Sequence, residues 1–239
     1  MNTNQAALVV LSGGQDSTTC AIIARKLFKT VHAISFDYGQ RHDIELSSAQ
    51  AVAKGLNLDS HEILHLPSIT LKSSSPLVSE NKVETYSDES ELPDGVASTF
   101  VPGRNALFLT LAFNRAVELG CTHIYTGVNQ TDSSGYPDCR YYFIGAMEEA
   151  LNVGVFGALD EDTHIRIETP LMSLTKAETV RLALEHCDSE AAFGRIFEHT
   201  HTCYQGVKGG CGKCAACLLR DKGFEEAGID DPIWKFRAN

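Results

Sequence analysis

The apolar run Ala6-Ala7-Leu8-Val9-Val10 passes straight into Leu11-Ser12-Gly13-Gly14-Gln15-Asp16-Ser17, and no other stretch constrains the chain as strongly. The run predicts a strand over 6–11. Two glycines then permit a tight turn, and a helix opens at Asp16 or Ser17. Without Cβ atoms, the turn lets several N–H groups converge on one point. The helix N-terminus behind them aims partial positive charge at the same point. The product is a socket for phosphate. No Lys-Ser/Thr follows the glycines, so it is not the usual nucleoside-triphosphate P-loop.

Beyond this turn, strand-like runs alternate with helical patterns. Strands are predicted over 30–36, 62–66, 123–128 and 165–169. Helices are predicted after the first turn, with Cys20, Ile23, Ala24 and Leu27 on one face, and over 44–55, 104–119 and 141–153. The first half of 104–119 is apolar nearly all round, which predicts burial. Thr175-Lys176-Ala177-Glu178 is a capping box that opens a further helix. Repeated βα units imply an α/β fold, a doubly wound parallel sheet with helices on both faces. Residues 73–98 break the pattern. They are rich in Ser, Glu and Asp, carry Pro76 and Pro93, and read as a surface insertion, partly mobile, serving as a passive loop or as a lid or dimer contact. The texture changes again after Phe197. The chain therefore divides into a nucleotide-binding domain over 1–197 and a small C-terminal module over 198–239.

That module holds Cys203, Cys211, Cys214 and Cys217, half of the chain's eight cysteines, on a glycine-rich segment. Four thiolates at this spacing suit a tetrahedral zinc with no open coordination position, hence a structural one, an iron–sulfur or redox role being the alternative. Lys208, Lys213 and Arg220 are candidates to offset the negative charge of such a centre. The scattered Cys20, Cys121, Cys139 and Cys187 read as packing thiols. This usage fits a reducing compartment rather than a secreted disulfide scaffold. Net charge is −11 over 239 residues, with no compensating run of Lys or Arg. A nucleic-acid partner is disfavoured and a small molecule preferred. No apolar run is long enough to span a bilayer, and no signal peptide is apparent, so a soluble, cytoplasmic protein is expected.

The loop resembles the SGGxDS pyrophosphate loop of the PP-loop ATPases, which cleave ATP to AMP and pyrophosphate. Taken with Phe36-Asp37-Tyr38-Gly39-Gln40-Arg41-His42, Phe100-Val101-Pro102-Gly103-Arg104-Asn105, Ser134-Gly135-Tyr136-Pro137-Asp138-Cys139-Arg140, Thr169-Pro170-Leu171, Lys176-Ala177-Glu178 and the cysteine set, it makes the chain similar, over nearly its whole length, to the QueC family of that superfamily. Segment 73–98 contributes nothing to the match. The resemblance implies an ATP-dependent carbon–nitrogen ligase. It would turn 7-carboxy-7-deazaguanine and ammonia into 7-cyano-7-deazaguanine with two ATP, in queuosine biosynthesis. The stoichiometry is chemically reasonable, because each carboxylate oxygen must leave as part of AMP. Adenylated acid, amide and adenylated amide follow in turn.

The same resemblance implies an ATP site over Leu11, Ser12, Gly13, Gly14, Gln15, Asp16, Ser17, Thr18, Thr19, Cys20 and Ala21, with Mg²⁺ accompanying ATP, and a homodimer. Read chemically, N–H groups over 13–17 hold pyrophosphate, with the Ser12 and Ser17 hydroxyls as further donors. Asp16 caps the helix or helps to hold Mg²⁺. Arg104 clamps phosphate or the substrate carboxylate. Lys176 steadies charge on the α-phosphate or is simply solvated. Asp132 or Asp138 reads the 2-amino and ring N–H edge of the deazapurine, Arg140 meets its carboxylate, and Tyr38, Arg41 and His42 face the same rim. Two other readings stand beside this one: a PP-loop enzyme that thiolates tRNA or forms an amidine on it, and a zinc- and nucleotide-binding regulator without turnover.

Overall fold

A computed structural model describes residues 3–40, 42–67, 71–93, 95–130, 135–157 and 163–237. Five parallel strands, β1 (Thr3–Val10), β2 (Phe28–Asp37), β3 (Ser60–His65), β4 (Cys121–Tyr125) and β5 (Arg166–Glu168), form one sheet in the order β3-β2-β1-β4-β5. The connections are helices α1 (Gln15–Leu27), α2 (Ile44–Gly55), α3 (Arg104–Leu119) and α4 (Tyr141–Phe156). Helices α5 (Lys176–His186), α6 (Glu190–Phe197) and α7 (Ala215–Ala227) follow the sheet. No helix among the described residues is long and apolar enough to cross a membrane.

Period-two alternation sends neighbouring strand residues into two different cores. Ala7, Val9, Val31 and Ala33 join α1, α2 and α5 to α7 on one face. Leu8, Ile34, Phe36 and Ile124 meet α3 on the other. Each Leu or Ile so buried contributes about 1.5–3 kcal/mol. Phe224 of α7 packs with Phe193 and Phe197 of α6 in the first core, so the C-terminal segment leans directly on the sheet domain.

Helices α2 and α3 have the expected ends. Other features differ. Leu27 is 40% exposed, because the buried stretch of α1 ends at Ala24. In the first half of α3 only Leu109 is fully buried; residues 104–108 are half-buried, since one side of the helix start borders a cavity. β4 stops at Tyr125 rather than 128, because its pairing with β1 ends there; Thr126 N–H still donates to the carbonyl of Glu168 at the end of β5, and Gln130 N–H donates to that of Met172 beyond it. α4 runs on to Phe156.

The segment 73–98 holds no helix or strand beyond a 3₁₀ turn at Glu89–Glu91 among its described residues, and it is pinned rather than passive. Tyr86 N–H donates to the Lys213 carbonyl at 2.8 Å, Glu89 pairs with Lys222 at 2.5 Å, and Val83 packs on the cysteine cluster. The insertion straps the C-terminal segment to the rest of the molecule.

Candidate active site

The strand order reverses at β1: the chain moves outward through β2 and β3, then crosses to β4 and β5 on the other side. In open parallel sheets ligands bind at the carboxyl ends of the strands at such a reversal. A cavity of about 340 Å³ lies there, walled by the ends of β1 and β2, by residues 126–129, and by the starts of α1, α3 and α5.

The turn after β1 forms the floor. Gly13 adopts φ +83°, and a Cβ on it would lie 2.5 Å from the Glu45 carbonyl oxygen. Gly14 is the N-cap of α1 with no side chain bonded across the helix start, so the first N–H groups of α1 remain available to a ligand. Asp16 therefore does not cap this helix. Ser12 and Ser17 lock the turn: their hydroxyls are 3.0 Å apart, Ser12 N–H donates to Ser17 Oγ, and Ser17 Oγ donates to the Gly14 carbonyl. His201 N–H donates to the Gly13 carbonyl at 2.9 Å. Gly127 backs the turn so closely that a Cβ there would meet the Ser17 nitrogen at 2.9 Å. Of the eleven residues expected at ATP, Leu11, Ser12, Gly14, Gln15, Asp16 and Ser17 line the cavity. Gly13, Thr18, Thr19, Cys20 and Ala21 are buried behind them. The Gln15 amide oxygen is buried without a partner among the described residues.

Lys176 reaches the turn from the first residue of α5, which the expected capping box holds in place: Thr175 Oγ1 accepts from Glu178 N–H, and Glu178 accepts from Thr175 N–H. Its Nζ donates to Asp16 Oδ2 at 2.6 Å, and with 13% of its side chain exposed it is not simply solvated.

Across the cavity stands Arg104, placed at the start of α3 by Gly103 (φ +76°). Its guanidinium donates to Tyr38 Oη at 3.5 Å, and no carboxylate among the described residues lies within 4.0 Å. Burial opposes its charge, but Tyr38, Tyr136 and Tyr204 around it hold its pKa above the ordinary value, so it stays protonated. Burial likewise raises the Tyr38 and Tyr136 phenols. Tyr38 and His42 line the cavity. Asp138 stands one layer behind the wall, next to the lining residue Cys139, its carboxyl raised by burial against the pull of Arg104. Arg140 does not line the cavity; it is exposed and donates to the Gln130 carbonyl at 2.8 Å. Arg41 and Asp132 lie outside the described residues.

Sequence reasoning missed several wall residues. Tyr136 and Tyr204 approach Arg104 from distant segments. His201 braces the turn, and burial lowers its pKa, so it is neutral; its Nε2 faces the Cys203 carbonyl at 3.0 Å. Glu45, in the first turn of α2, is the second carboxylate in the wall beside Asp16. One signal pointed to it: Glu45 falls on the face of α2 that also carries Ala49 and Val52, both fully buried.

The four cysteines converge as expected. Their sulfurs all lie within 4.8 Å of one another, and all four are free thiols. Tetrahedral zinc thiolate geometry, with bonds of about 2.3 Å, needs sulfur–sulfur edges of about 3.8 Å, so the group could hold a metal ion. Hydrogen bonds from Cys214 and Cys217 pull the Cys203 thiol far below its usual value, which favours a thiolate. Arg220 is not the cation that faces this charge. It is buried and engages Asp231 through Nε at 2.6 Å and Nη2 at 2.9 Å, with Thr200 and Thr202 on its remaining donors. Arg237 takes that place, close to Gly210 and Cys217 and fixed by a two-pronged pair with Asp221. Lys208 lies over the Phe236 ring and Lys213 is exposed. The scattered Cys121 and Cys187 are raised by burial to about 12 and about 11, and Cys20 higher still, consistent with packing roles.

The family described as "Queuosine biosynthesis protein QueC" matches residues 6–228. A protein of Gloeobacter violaceus named 7-cyano-7-deazaguanine synthase is 55% identical over 231 residues, 97% of this chain and 96% of the relative. Proteins of the same name from Solidesulfovibrio magneticus and Laribacter hongkongensis are 44% and 45% identical, each over 95% of this chain and 94% and 93% of the relative.

Proposed function

Because the chain belongs to the QueC family of queuosine biosynthesis proteins, we propose that it is the ligase that makes 7-cyano-7-deazaguanine from 7-carboxy-7-deazaguanine, ammonia and ATP. One arrangement carries the reading: the phosphate turn, the Asp16–Lys176 pair and Arg104 all open into one cavity.

In this reading the open N–H groups at the start of α1 receive pyrophosphate as it departs. Lys176, steered by Asp16, steadies the charge that grows on the α-phosphate when a substrate oxygen attacks it. Arg104, permanently charged and without a carboxylate at bonding distance among the described residues, takes the substrate carboxylate in a two-pronged grip. Tyr38 makes the direct contact with the heterocycle, and Asp138 and Arg140 support the wall around it. Asp16 is the carboxylate beside the turn and is assigned to share a Mg²⁺ with the phosphates, whose charge the ion would offset. Zinc is assigned to Cys203, Cys211, Cys214 and Cys217, where it would be structural. The nucleotide-binding domain (1–197) and the cysteine module (198–239) act together, because Thr202, Cys203 and Tyr204 also line the cavity. A cytoplasmic homodimer acting on small molecules, without nucleic acid, completes the proposal.

The test is direct. Purified protein is incubated with ATP, ammonium and 7-carboxy-7-deazaguanine, and the products are read by mass spectrometry. Nitrile with AMP and pyrophosphate is the expected result. ADP as the nucleotide product, or AMP formed only when tRNA is added, would overturn it.

A further inference from the structure

The reaction just proposed needs something that the phosphate turn, Lys176 and Arg104 do not supply. Ammonia that attacks an acyl adenylate arrives with three hydrogens and must lose one as the amide forms. The later step from adenylated amide to nitrile sheds further N–H protons. A base is needed where the nitrogen is.

Lys176 and Arg104 are cations, and Asp16 is already bonded to Lys176 at 2.6 Å. His201 has its Nε2 against the Cys203 carbonyl. Glu45 is the other carboxylate in the wall among the described residues. Its own carbonyl oxygen abuts Gly13, which puts its residue beside the phosphate turn. Its side chain interacts electrostatically with Arg104 and Tyr38, the residues given the substrate carboxylate and ring. The reacting carbon must lie between the turn, which takes the phosphates, and Arg104, which takes the carboxylate. Glu45 borders both.

We propose that Glu45 is the catalytic base that accepts the proton from the nitrogen nucleophile, an assignment that rests on the ligase reading above. In the amide step the C–N bond forms, the C–O bond to AMP breaks with its electron pair on AMP, and the excess N–H proton passes to the Glu45 carboxylate. Glu45 returns it to solvent and repeats the service for the two amide N–H protons, one lost as the amide oxygen is adenylated with release of pyrophosphate, the other as the C–O bond to AMP breaks to give the nitrile. Nothing is oxidised or reduced. Burial raises the Glu45 carboxyl to about 7, against the pull of Arg104, which suits a base working near neutrality. The charged and titratable groups that share the cavity with it among the described residues include Arg104 from α3, Tyr38 after β2, His42 just before α2, Asp16 with Lys176, and Tyr136, His201 and Tyr204. Gln15 adds an unpartnered amide oxygen in the same wall, an acceptor for a small N–H donor.

The experiment separates the half-reactions in Glu45→Gln and Glu45→Asp. Exchange of labelled pyrophosphate into ATP, dependent on 7-carboxy-7-deazaguanine, reports adenylation and intact folding. Rapid quench after adding ammonium, at a fixed concentration of free ammonia, reports conversion of the adenylate to amide. In Glu45→Gln, exchange should change little while the ammonia step slows by roughly 10²–10⁴-fold. Glu45→Asp should recover part of that loss. The wild-type ammonia step should quicken as pH rises through about 7, and the Gln variant should lack that limb. An ammonia step unchanged in Glu45→Gln would refute the assignment. So would an equal fall in both half-reactions, which marks a structural role. Absence of exchange in the wild type would instead refute the ligase reading and the base with it.

Discussion

Gly13 and Gly14 are adjacent and chemically identical, yet their surroundings differ. A Cβ on Gly13, at φ +83°, would meet the Ala49 nitrogen at 2.6 Å, whereas one on Gly14 would find its nearest neighbours at 3.5 Å. Gly13→Ala should therefore cost more than about 1 kcal/mol in denaturant unfolding, from the left-handed backbone alone and before the clash is counted. Gly14→Ala should leave stability nearly unchanged. Glu45 makes a second prediction at this scale. Its folded pKa of about 7 lies above the ordinary value of about 4.3, so its contribution to stability is complete below the lower value and is lost as pH rises through the upper one. Glu45→Gln should leave the thermal midpoint unchanged near pH 4 and raise it at pH 8, as read by calorimetry. The same carboxylate would then be a stability cost carried for chemistry.

Helix α4 shows how an element can close a sheet. β5 is a three-residue edge strand whose outer groups face no other strand among the described residues. Asn152 of α4 fills the gap: its Oδ1 accepts from Ile165 N–H at 2.8 Å and its Nδ2 donates to the Ile165 carbonyl at 2.9 Å. Glu148 Oε2 accepts from Ile167 N–H at 2.6 Å. An edge so occupied cannot recruit another strand. Asn152→Leu strips partners from two buried backbone groups and should cost about 2–4 kcal/mol by urea titration. The capping box of α5 is a smaller device of the same kind. Thr175→Ala should cost about 1 kcal/mol of stability, and it should also loosen Lys176, the next residue. Elements with strong local signals, such as α2 and α3, were legible with both ends. β4 was not: the expected strand ran on to Val128, and only the end of its pairing with β1 at Tyr125 shows where the chain leaves that neighbour.

At the scale of the molecule, the tail, the cysteine segment and the turn after β1 form one connected assembly. Arg220 and Asp231 are 1% and 0% exposed at their side chains, and Asp231→Ala would strand a buried guanidinium, so a loss of about 3–5 kcal/mol is expected in denaturant unfolding. Because His201 N–H braces Gly13 and Cys203 lines the cavity, the cysteine segment also supports the turn after β1. Cys211→Ser should lower metal content and weaken nucleotide binding together, read by elemental analysis and calorimetric titration on the same sample. The amino-acid order alone determined whatever is encoded by near neighbours. The alternating periodicities specify a parallel α/β sheet, the Gly-Gly pair specifies the tight turn between β1 and α1, and four closely spaced cysteines specify a cluster, because each needs only a few consecutive residues to state its geometry. Tertiary structure decided what depends on residues far apart in the chain. It paired Lys176 with Asp16 across 160 positions, turned Arg220 away from the sulfurs and brought in Arg237, and set Glu45 beside Arg104. Charge and burial at those sites come from packing of distant segments, and no local pattern records which segments will meet.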